Sequence, residues 1–375
     1  MTETQTTISA YFGDMPDPRT GPATLHKLID ILTIALLAVV CGGDDWVAVQ
    51  DFGIKRETWL KTFLELPNGI PSHDTFRRVF SLIRPQEFEQ RFVLWIKGVS
   101  PLKPKEVVSV DGKVLRGSRD TYQGQDALMM LSAYASESGL VLAQQAVPED
   151  TNEIGAMPEL LKIVWLQGCV ITADAAHCQA QNTRLVIEQG ADYVLALKEN
   201  QGTLYERVRQ TFEETDIRQA QQQVFETLEK GHGRVEHRHY TLIHDFDYID
   251  FFNPDERWWQ LKSVIRVART RQAGEVPIVH YFISSLPGDA ELIARCIRSH
   301  WGIENKEHWI LDVVFRQDAN RVRIGFGPEN FAILQHLALN LLKREKSLKR
   351  STKGKRFAAA LDQDYLLKVV QAGLP

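Results

Sequence analysis

Three acidic residues stand in settings that suit chemistry: Asp111 in Val-Val-Ser-Val-Asp-Gly-Lys, Asp174 in Val-Ile-Thr-Ala-Asp-Ala-Ala-His, and Glu304 in His-Trp-Gly-Ile-Glu-Asn. Three carboxylates on separate elements can hold two divalent metal ions. Hard oxygen ligands suit Mg²⁺ or Mn²⁺, and two ions about 3.5–4 Å apart stabilise both the attacking and the leaving oxygens of a phosphoryl transfer. These residues therefore predict the cutting and joining of nucleic acid.

The elements that must position these carboxylates are two predicted strands and a helix. Asp111 and Asp174 end apolar, β-branched runs at 107–110 and 170–172, as strands of an open α/β sheet bring reactive groups to the crevice at their carboxyl ends. Glu304 opens a helix-like segment. Taken singly, each has an ordinary interpretation as a turn residue, a helix cap or a surface glutamate. Their joint occurrence favours one site.

The order of predicted elements indicates an α/β fold. Residues 1–100 carry apolar residues at helical spacing, which predicts a helical N-terminal domain with a possible role in DNA binding. The order β-β-β-α-β-α-β follows, which is that of a ribonuclease-H-like core. We predict a catalytic domain at 101–345, interrupted by a strand-rich insertion at about 204–287, and a basic C-terminal tail at 346–375.

Composition bounds the class of protein. The 375 residues exceed one typical domain, and 44% hydrophobic and 25% charged residues are typical of a soluble protein with a packed core. The four cysteines show no C-x-x-C pairing, which argues against a disulfide framework or a zinc ribbon. The longest apolar stretch, 31–41, is too short to span a bilayer, and no export signal is recognised. We expect a cytoplasmic, nucleoid-associated protein without a membrane partner.

The overall charge of the chain indicates that any DNA-binding surface is confined to a part of it. The net charge is −4 and the isoelectric point is near 6.3, so the whole chain does not have the charge of a nucleic-acid binder. The best local candidate is the basic run 343–356, which includes Lys349 and Arg350 and is opposed only by Glu345. It could neutralise phosphates, or it could be a solvated helix end and loop.

Other candidates for DNA contact are scattered along the predicted catalytic domain. They are Lys198 and Asn200 after the strand 193–197, Arg234 and Arg238 in the insertion, and Arg298, His300 and His308 around the glutamate. Loop or β-turn polarity explains the first four nearly as well. Helical spacing places His300, Glu304, His308 and Asp312 on one face. Catalytic zinc is not expected, because the spacing lacks the H-E-x-x-H arrangement; the histidines either contact phosphate or are structural.

The chain also resembles a known family over nearly its whole length. The matching segments are 12–19, 66–76, 110–113, 151–154, 173–175, 197–201, 300–305, 308–309 and 311–313. They are similar to the bacterial insertion-sequence DDE transposases, in particular the H-repeat-associated branch. The resemblance implies a ribonuclease-H-like core with a β-strand insertion before the glutamate helix. It also implies Asp111, Asp174 and Glu304 as catalytic metal ligands for two Mg²⁺ or Mn²⁺ ions, and double-stranded DNA at element ends and target as partner. Synapsis of two ends predicts a homodimer.

One departure separates the chain from many relatives of this kind. They carry Y-x-x-R-x-x-x-E-x-x-x-x-x-x-K around the glutamate, whereas the three flanking positions here hold Ile297, His300 and Leu311. Arg298 and His308 would partly replace the phosphate contacts. Two alternatives therefore stay open. One is a catalytically idle or decayed transposase-derived DNA-binding protein, against which the intact carboxylates weigh; the other is a metal-dependent nuclease without joining activity.

Overall fold

The N-terminal segment of the computed structural model is helical. Residues 3–21, 24–148, 151–214, 217, 220–231, 234–271 and 275–373 are described. The first helices are α1 (Glu3–Phe12), α2 (Leu28–Cys41), α3 (Trp46–Leu60), α4 (His73–Leu82) and α5 (Pro85–Val99). The apolar α2 has twelve of its fourteen residues buried. It ends at Gly42, whose φ of 107° is the left-handed conformation that glycine adopts without strain.

Strands and helices then alternate in the predicted order. They are β1 (Val107–Val114), β2 (Met129–Ala135), β3 (Leu140–Ala146), α6 (Glu153–Ile163), β4 (Val170–Ala173), α7 (Ala180–Glu188) and β5 (Asp192–Leu197). The predicted insertion follows as α8 (Gly202–Glu214), β6 (Gln222–Gly231), β7 (Arg234–Ile243), α9 (Phe246–Phe252), β8 (Ser263–Thr270) and β9 (Ile278–Ser284). The mixed α/β class with a helical N-terminal region is thereby confirmed.

All nine of these strands form one sheet in the order β3-β2-β1-β4-β5-β9-β8-β7-β6. The strands β1, β4 and β5 are parallel, and β2 and β3 run antiparallel beside β1. The strand β9 pairs antiparallel with β5, and β8, β7 and β6 continue from it. The strand-rich insertion is therefore an extension of the central sheet along the edge of β5.

The last part of the chain is helical and packs back on the first. It contains α10 (Ala290–Ile303), a π-helical turn (Glu304–His308), α11 (Trp309–Val313), α12 (Gly327–Arg344), α13 (Thr352–Leu361) and α14 (Gln363–Gln371). The helix α12 packs against α2, α4, α5 and β3, and α13 packs against α2. Two long-range hydrogen bonds join the ends, from Arg56 Nη2 to the Ala360 carbonyl (2.7 Å) and from Trp95 Nε1 to the Gly373 carbonyl (3.0 Å).

The basic run predicted as a tail is folded and only partly accessible. Lys355 is buried and donates to the carbonyl oxygens of Leu342 and Glu345. Arg356 is also buried, with its guanidinium 4.1 Å from the centre of the Phe315 ring. A run of charges in sequence does not reveal that α13 turns these two side chains inward. The division into three domains stays a prediction, and the contacts of α12 to α14 cross its boundaries.

Among the described helices, none is by itself long and apolar enough to cross a membrane. The helices α2 and α3, bent by 99° at the break between them, meet that test of length and composition only as a pair.

Candidate active site

Asp111 and Asp174 lie side by side at the end of the parallel pairing between β1 and β4. The last parallel pair is Val110 with Ala173, and each aspartate is the next residue of its chain. Asp174 follows the end of β4, as predicted. Asp111 does not end its strand: β1 continues to Val114 because β2 still pairs with it on the other side, with Ser132 opposite Asp111. The antiparallel neighbour could not be inferred from the apolar run alone.

Backbone N–H groups hold the Asp174 carboxylate in place. Its Oδ1 accepts hydrogen bonds from the N–H groups of Ala176 (3.0 Å) and His177 (3.3 Å). The interpretation of Asp174 as the cap of the next helix is wrong, because α7 starts later and its N-cap is Gln179. Asp174 instead closes a tight turn at the sheet edge.

Glu304 is exposed and opens the π-helical turn between α10 and α11. The end of this turn and the residues after it still face the sheet: His308 lies 3.8 Å from Asp111, and Asp312 lies 2.5 Å from the ammonium of Lys113, which points to the same face of β1 as Asp111. His300 is half-buried and also lines the cleft described below; its Nδ1 lies 3.3 Å from Thr172 Oγ1, and burial lowers the pKa of its imidazole to about 4. Its role as a phosphate contact stays a prediction.

The carboxylates of this edge influence one another electrostatically. Burial raises the pKa of the Asp111 carboxyl to about 7, against a hydrogen bond from the Gly112 N–H. The negative charges of three neighbours add to the rise: Glu304, Asp174 and Glu153. Burial and the charge of Asp174 likewise raise the pKa of Glu153. Carboxylates that resist ionisation next to each other are typical of functional sites and of cation sites.

His308 is the imidazole beside this cluster. Its Nδ1 lies 3.8 Å from Asp111 Oδ2, and burial lowers its pKa. Across the parts of the chain that the structure describes, however, no three His, Cys, Asp or Glu side chains stand in an arrangement ready to hold a metal ion. The acidic residues are neighbours, but they do not form a closed coordination sphere.

A cleft of about 410 Å³ opens beside Asp174 and Glu304. The insertion forms one of its walls, so the core and the insertion share it. Its charged and aromatic lining includes Lys198, Arg238, Arg269, His280, Arg298 and Trp301. Of the predicted DNA contacts, the exposed Lys198 faces this space, whereas Asn200 donates from Nδ2 to the Ala175 carbonyl (2.7 Å) and thus fixes the loop after Asp174.

Two of the predicted arginines are held by acidic neighbours. Arg298 Nε donates to both oxygens of Glu229 at 2.9 Å, which ties α10 to β6. Arg238 is buried, 3.2 Å from Glu229 and 2.9 Å from Glu236. A phosphate reaching either arginine would therefore compete with Glu229.

The remaining predicted DNA contacts lie elsewhere. Arg234 starts β7 opposite Gly231, and the turn residues 232–233 between them lie outside the described residues. Lys349 and Arg350 are exposed in the connection between α12 and α13. As far as the structure describes the cleft, Lys349 and Arg350 do not line it.

Sequence reasoning missed several residues of this region. Arg269 and His280 reach the cleft from β8 and β9, which required knowing that the insertion extends the sheet. Glu153 belongs to the matching segment 151–154, but the sequence did not show that its charge lies near Asp111 and Asp174. Glu307, fully buried and 3.3 Å from His336 Nε2, has no local signal in the sequence, because a distant helix supplies its partner.

The chain is similar to known transposases and transposase families. Residues 102–341 match the family described as "Transposase DDE domain", and residues 9–96 match the one described as "DDE_Tnp_1-associated". The chain is 37% identical over 367 residues to "Putative transposase YncI" of Escherichia coli O157:H7, covering 96% of this chain and 93% of that protein. It is 35% identical over 371 residues to "H repeat-associated putative transposase YhhI" of Escherichia coli K12, covering 97% of each. Among solved structures, a cryo-EM synaptic complex of piggyBac transposase with hairpin DNA matches at a TM-score of 0.43 and 12% identity, over 97% of this chain and 77% of that one.

Proposed function

Because the chain belongs to the DDE transposase family, we propose that Asp111, Asp174 and Glu304 are the carboxylates with which it cuts and joins DNA at the ends of an insertion-sequence element. The observation that carries this assignment is the position of the two aspartates, each one residue past the Val110–Ala173 pair. The charge of Glu304, on a distant element, acts on the Asp111 carboxyl. Glu304 also lines the cleft beside Asp174, which supports a single site for the three carboxylates.

The strand order supports a ribonuclease-H-like core made of the first five strands. In this core β1 is flanked by the antiparallel β2 and the parallel β4, and the sheet edge with the aspartates is the carboxyl edge of β1, β4 and β5. Ligands of open α/β sheets bind at this edge. The strands β6 to β9 would then be the insertion that precedes the glutamate helix.

The donor set fits divalent cations. Carboxylate oxygens are the ligands that Mg²⁺ and Mn²⁺ prefer. The side chains are not closed around a site, as expected of like charges that repel one another, and cations would relieve that repulsion. When bound, a pair of Mg²⁺ or Mn²⁺ ions would supply the positive charge that stabilises the attacking and leaving oxygens. Asp111, Asp174 and Glu304 would hold them.

The chain's own residues contribute positioning, because phosphoryl transfer leaves little covalent work for the protein. The Gly112 N–H fixes Asp111, and the N–H groups of Ala176 and His177 fix Asp174. Water attacks the phosphorus at the element end, the bond to the 3′ oxygen breaks, and the released oxygen takes a proton to give a 3′-hydroxyl. That hydroxyl would then attack a target phosphodiester in the same site: its oxygen bonds to the target phosphorus, the target's own P–O3′ bond breaks, and the released 3′ oxygen takes up a proton. No protein nucleophile is required.

The DNA path is proposed along the cleft. Lys198 is exposed to it, and Arg238 and Arg298 would reach phosphates by exchanging Glu229 for DNA. The exposed Lys349 and Arg350 would add a second, peripheral contact. Two element ends held together imply a homodimer, and a DNA substrate implies a cytoplasmic, nucleoid-associated location.

The test is Mn²⁺-dependent cleavage of a supercoiled plasmid that carries the DNA flanking this gene. Wild type should cut at the element boundaries, and Asp174→Asn should bind the ends but not cut them. Glu188→Gln, which breaks only the exposed Arg184–Glu188 pair on α7, is the matched control and should cut normally. Normal cutting by Asp174→Asn would refute the assignment, and parallel loss of end binding would count against it.

A further inference from the structure

A fourth carboxylate lies at the same sheet edge as the three proposed ligands. Glu153 begins α6, where the Asn152 side chain caps the helix by accepting from the Gly155 N–H (3.2 Å). Its carboxylate lies against the backbone of Gly112, since a Cβ built on that glycine would lie 2.5 Å from Glu153 Oε1. The residue next to Asp111 is a glycine, and the Glu153 carboxylate occupies the space that a side chain there would fill.

Glu153 and Glu304 reach this edge from opposite faces of the sheet. Successive strand residues point to opposite faces, so Asp111 and Gly112 face different sides. Asp111 faces the π-helical turn that begins with Glu304, as its 3.8 Å distance to His308 shows. Glu153 lies on the other side, against Gly112. Asp111 thus has the Glu304 turn on one side of the sheet and Glu153 on the other.

A buried histidine points at the fourth carboxylate. His177 is 0% exposed, and neither of its ring nitrogens finds a hydrogen-bond partner among the described residues. Its Nε2 lies 3.8 Å from Glu153 Oε2. Buried polar groups normally have partners, because an unmade hydrogen bond costs about 1–3 kcal/mol. An imidazole kept in this state beside a carboxylate is typical of groups that orient a ligand.

We propose that Glu153 is a fourth oxygen ligand for divalent cations at this edge and that His177 is a positioning residue for its carboxylate. The proposal rests on the proposed function, which places the cations there. A movement of under about 1 Å would close a hydrogen bond from the His177 ring to Glu153. Four carboxylates also match the charge of two divalent ions, so the loaded edge is neutral before the DNA phosphate enters.

The test is Mn²⁺ binding to the full-length protein, measured by electron paramagnetic resonance, with plasmid cleavage as a second readout. Glu153→Gln should weaken Mn²⁺ binding by about 10-fold or more. It should raise the Mn²⁺ concentration for half-maximal cleavage in proportion, so that cleavage recovers at high Mn²⁺. His177→Gln should also weaken Mn²⁺ binding and raise the Mn²⁺ concentration for half-maximal cleavage, but by less than Glu153→Gln does. Glu188→Gln should change neither the Mn²⁺ binding nor the Mn²⁺ dependence of cleavage.

Gly112→Ala is a second variant that removes no carboxylate. Its methyl group would displace Glu153 and should reproduce the weaker Mn²⁺ binding. Unchanged Mn²⁺ affinity and unchanged Mn²⁺ dependence of cleavage in Glu153→Gln would overturn the proposal, as would loss of its helical circular-dichroism signal, which would indicate a structural role. If Asp174→Asn cleaves like wild type, the proposed function fails instead, so the two failures are distinct.

Discussion

Replacing Glu307 with glutamine should destabilise the protein by about 3 kcal/mol at pH 7. The Glu307 side chain is 0% exposed, and its Oε1 lies 3.3 Å from His336 Nε2. The two buried groups are in contact, although their alignment is too poor for a good hydrogen bond. His336 is itself held by Gln144, whose Oε1 lies 2.5 Å from Nδ1. Removing one partner of a buried pair costs about 3–5 kcal/mol, and we expect the low end because glutamine keeps the volume.

The pH dependence of the stability difference between wild type and Glu307→Gln is a second, independent test of this prediction. Burial alone would raise the pKa of Glu307, but contact with His336 and the charges of His308, His336 and Lys343 lower it below 4.5 overall. A lowered carboxyl pKa stabilises the fold above the unfolded-state value of 4.5 and loses that contribution as pH falls through the folded-state value. The gap between wild type and Glu307→Gln should therefore close at acid pH.

The assay is urea unfolding followed by circular dichroism, at pH 7 and at pH 4. Glu188→Gln is the matched control: it breaks an exposed pair of 2.7 Å and should change the free energy of unfolding by under about 0.5 kcal/mol. A double-mutant cycle with His336→Gln should show coupling of about 1 kcal/mol or more. If Glu307→Gln were as mild as the control at pH 7, the buried pair would not be a source of stability and the reasoning would be wrong.

Three further substitutions test other parts of the fold. Burial raises the pKa of Glu329 to about 7, so ionisation of this carboxyl should make wild type less stable as pH rises from 4.5 to 7. Glu329→Gln should remove this loss of stability. In urea unfolding at pH 8, the variant should be about 1–3 kcal/mol more stable than wild type. Arg356→Lys should cost about 2 kcal/mol, because lysine cannot keep the bonds to the Val39 carbonyl (2.8 Å) and Asp44 (3.2 Å) together, and a thermal melt unchanged from wild type would contradict this. Lys113→Met should lower the melting temperature by leaving Asp312 without the ammonium group 2.5 Å away, and equal melting of the two proteins would show that this pair contributes nothing.

The strands and helices whose apolar residues follow a regular local pattern could be predicted from the sequence. The β-branched runs before Asp111 and Asp174 predicted two strands, and parallel pairing then had to bring their following residues together. The helical N-terminal region followed from apolar spacing, which α2 shows most clearly. The proximity of Asp111 and Asp174 was predictable for this reason, although their roles stay a proposal.

The surroundings of several side chains could not be predicted, because residues distant in sequence supply their partners. His300 was a candidate phosphate contact, and the sequence could not show that Thr172, 128 positions away, is its partner at the cleft. Arg356 looked like part of an accessible basic run, but Asp44 and Phe315 enclose it. In each case the sequence specifies the residue type and the fold specifies its surroundings.

The packing of α12 and α13 on α2 has a consequence for how the chain is made. Arg56 and its partner Ala360 are 304 positions apart, so at about 5–20 residues per second the ribosome needs roughly 15–60 s to supply the second after the first. Until then, the apolar surface of α2 that α12 and α13 cover stays open. A chain cut short by a frameshift or an early stop codon never receives that cover. Such products are expected to be cleared by proteases rather than to persist as fragments that interfere with the full-length protein.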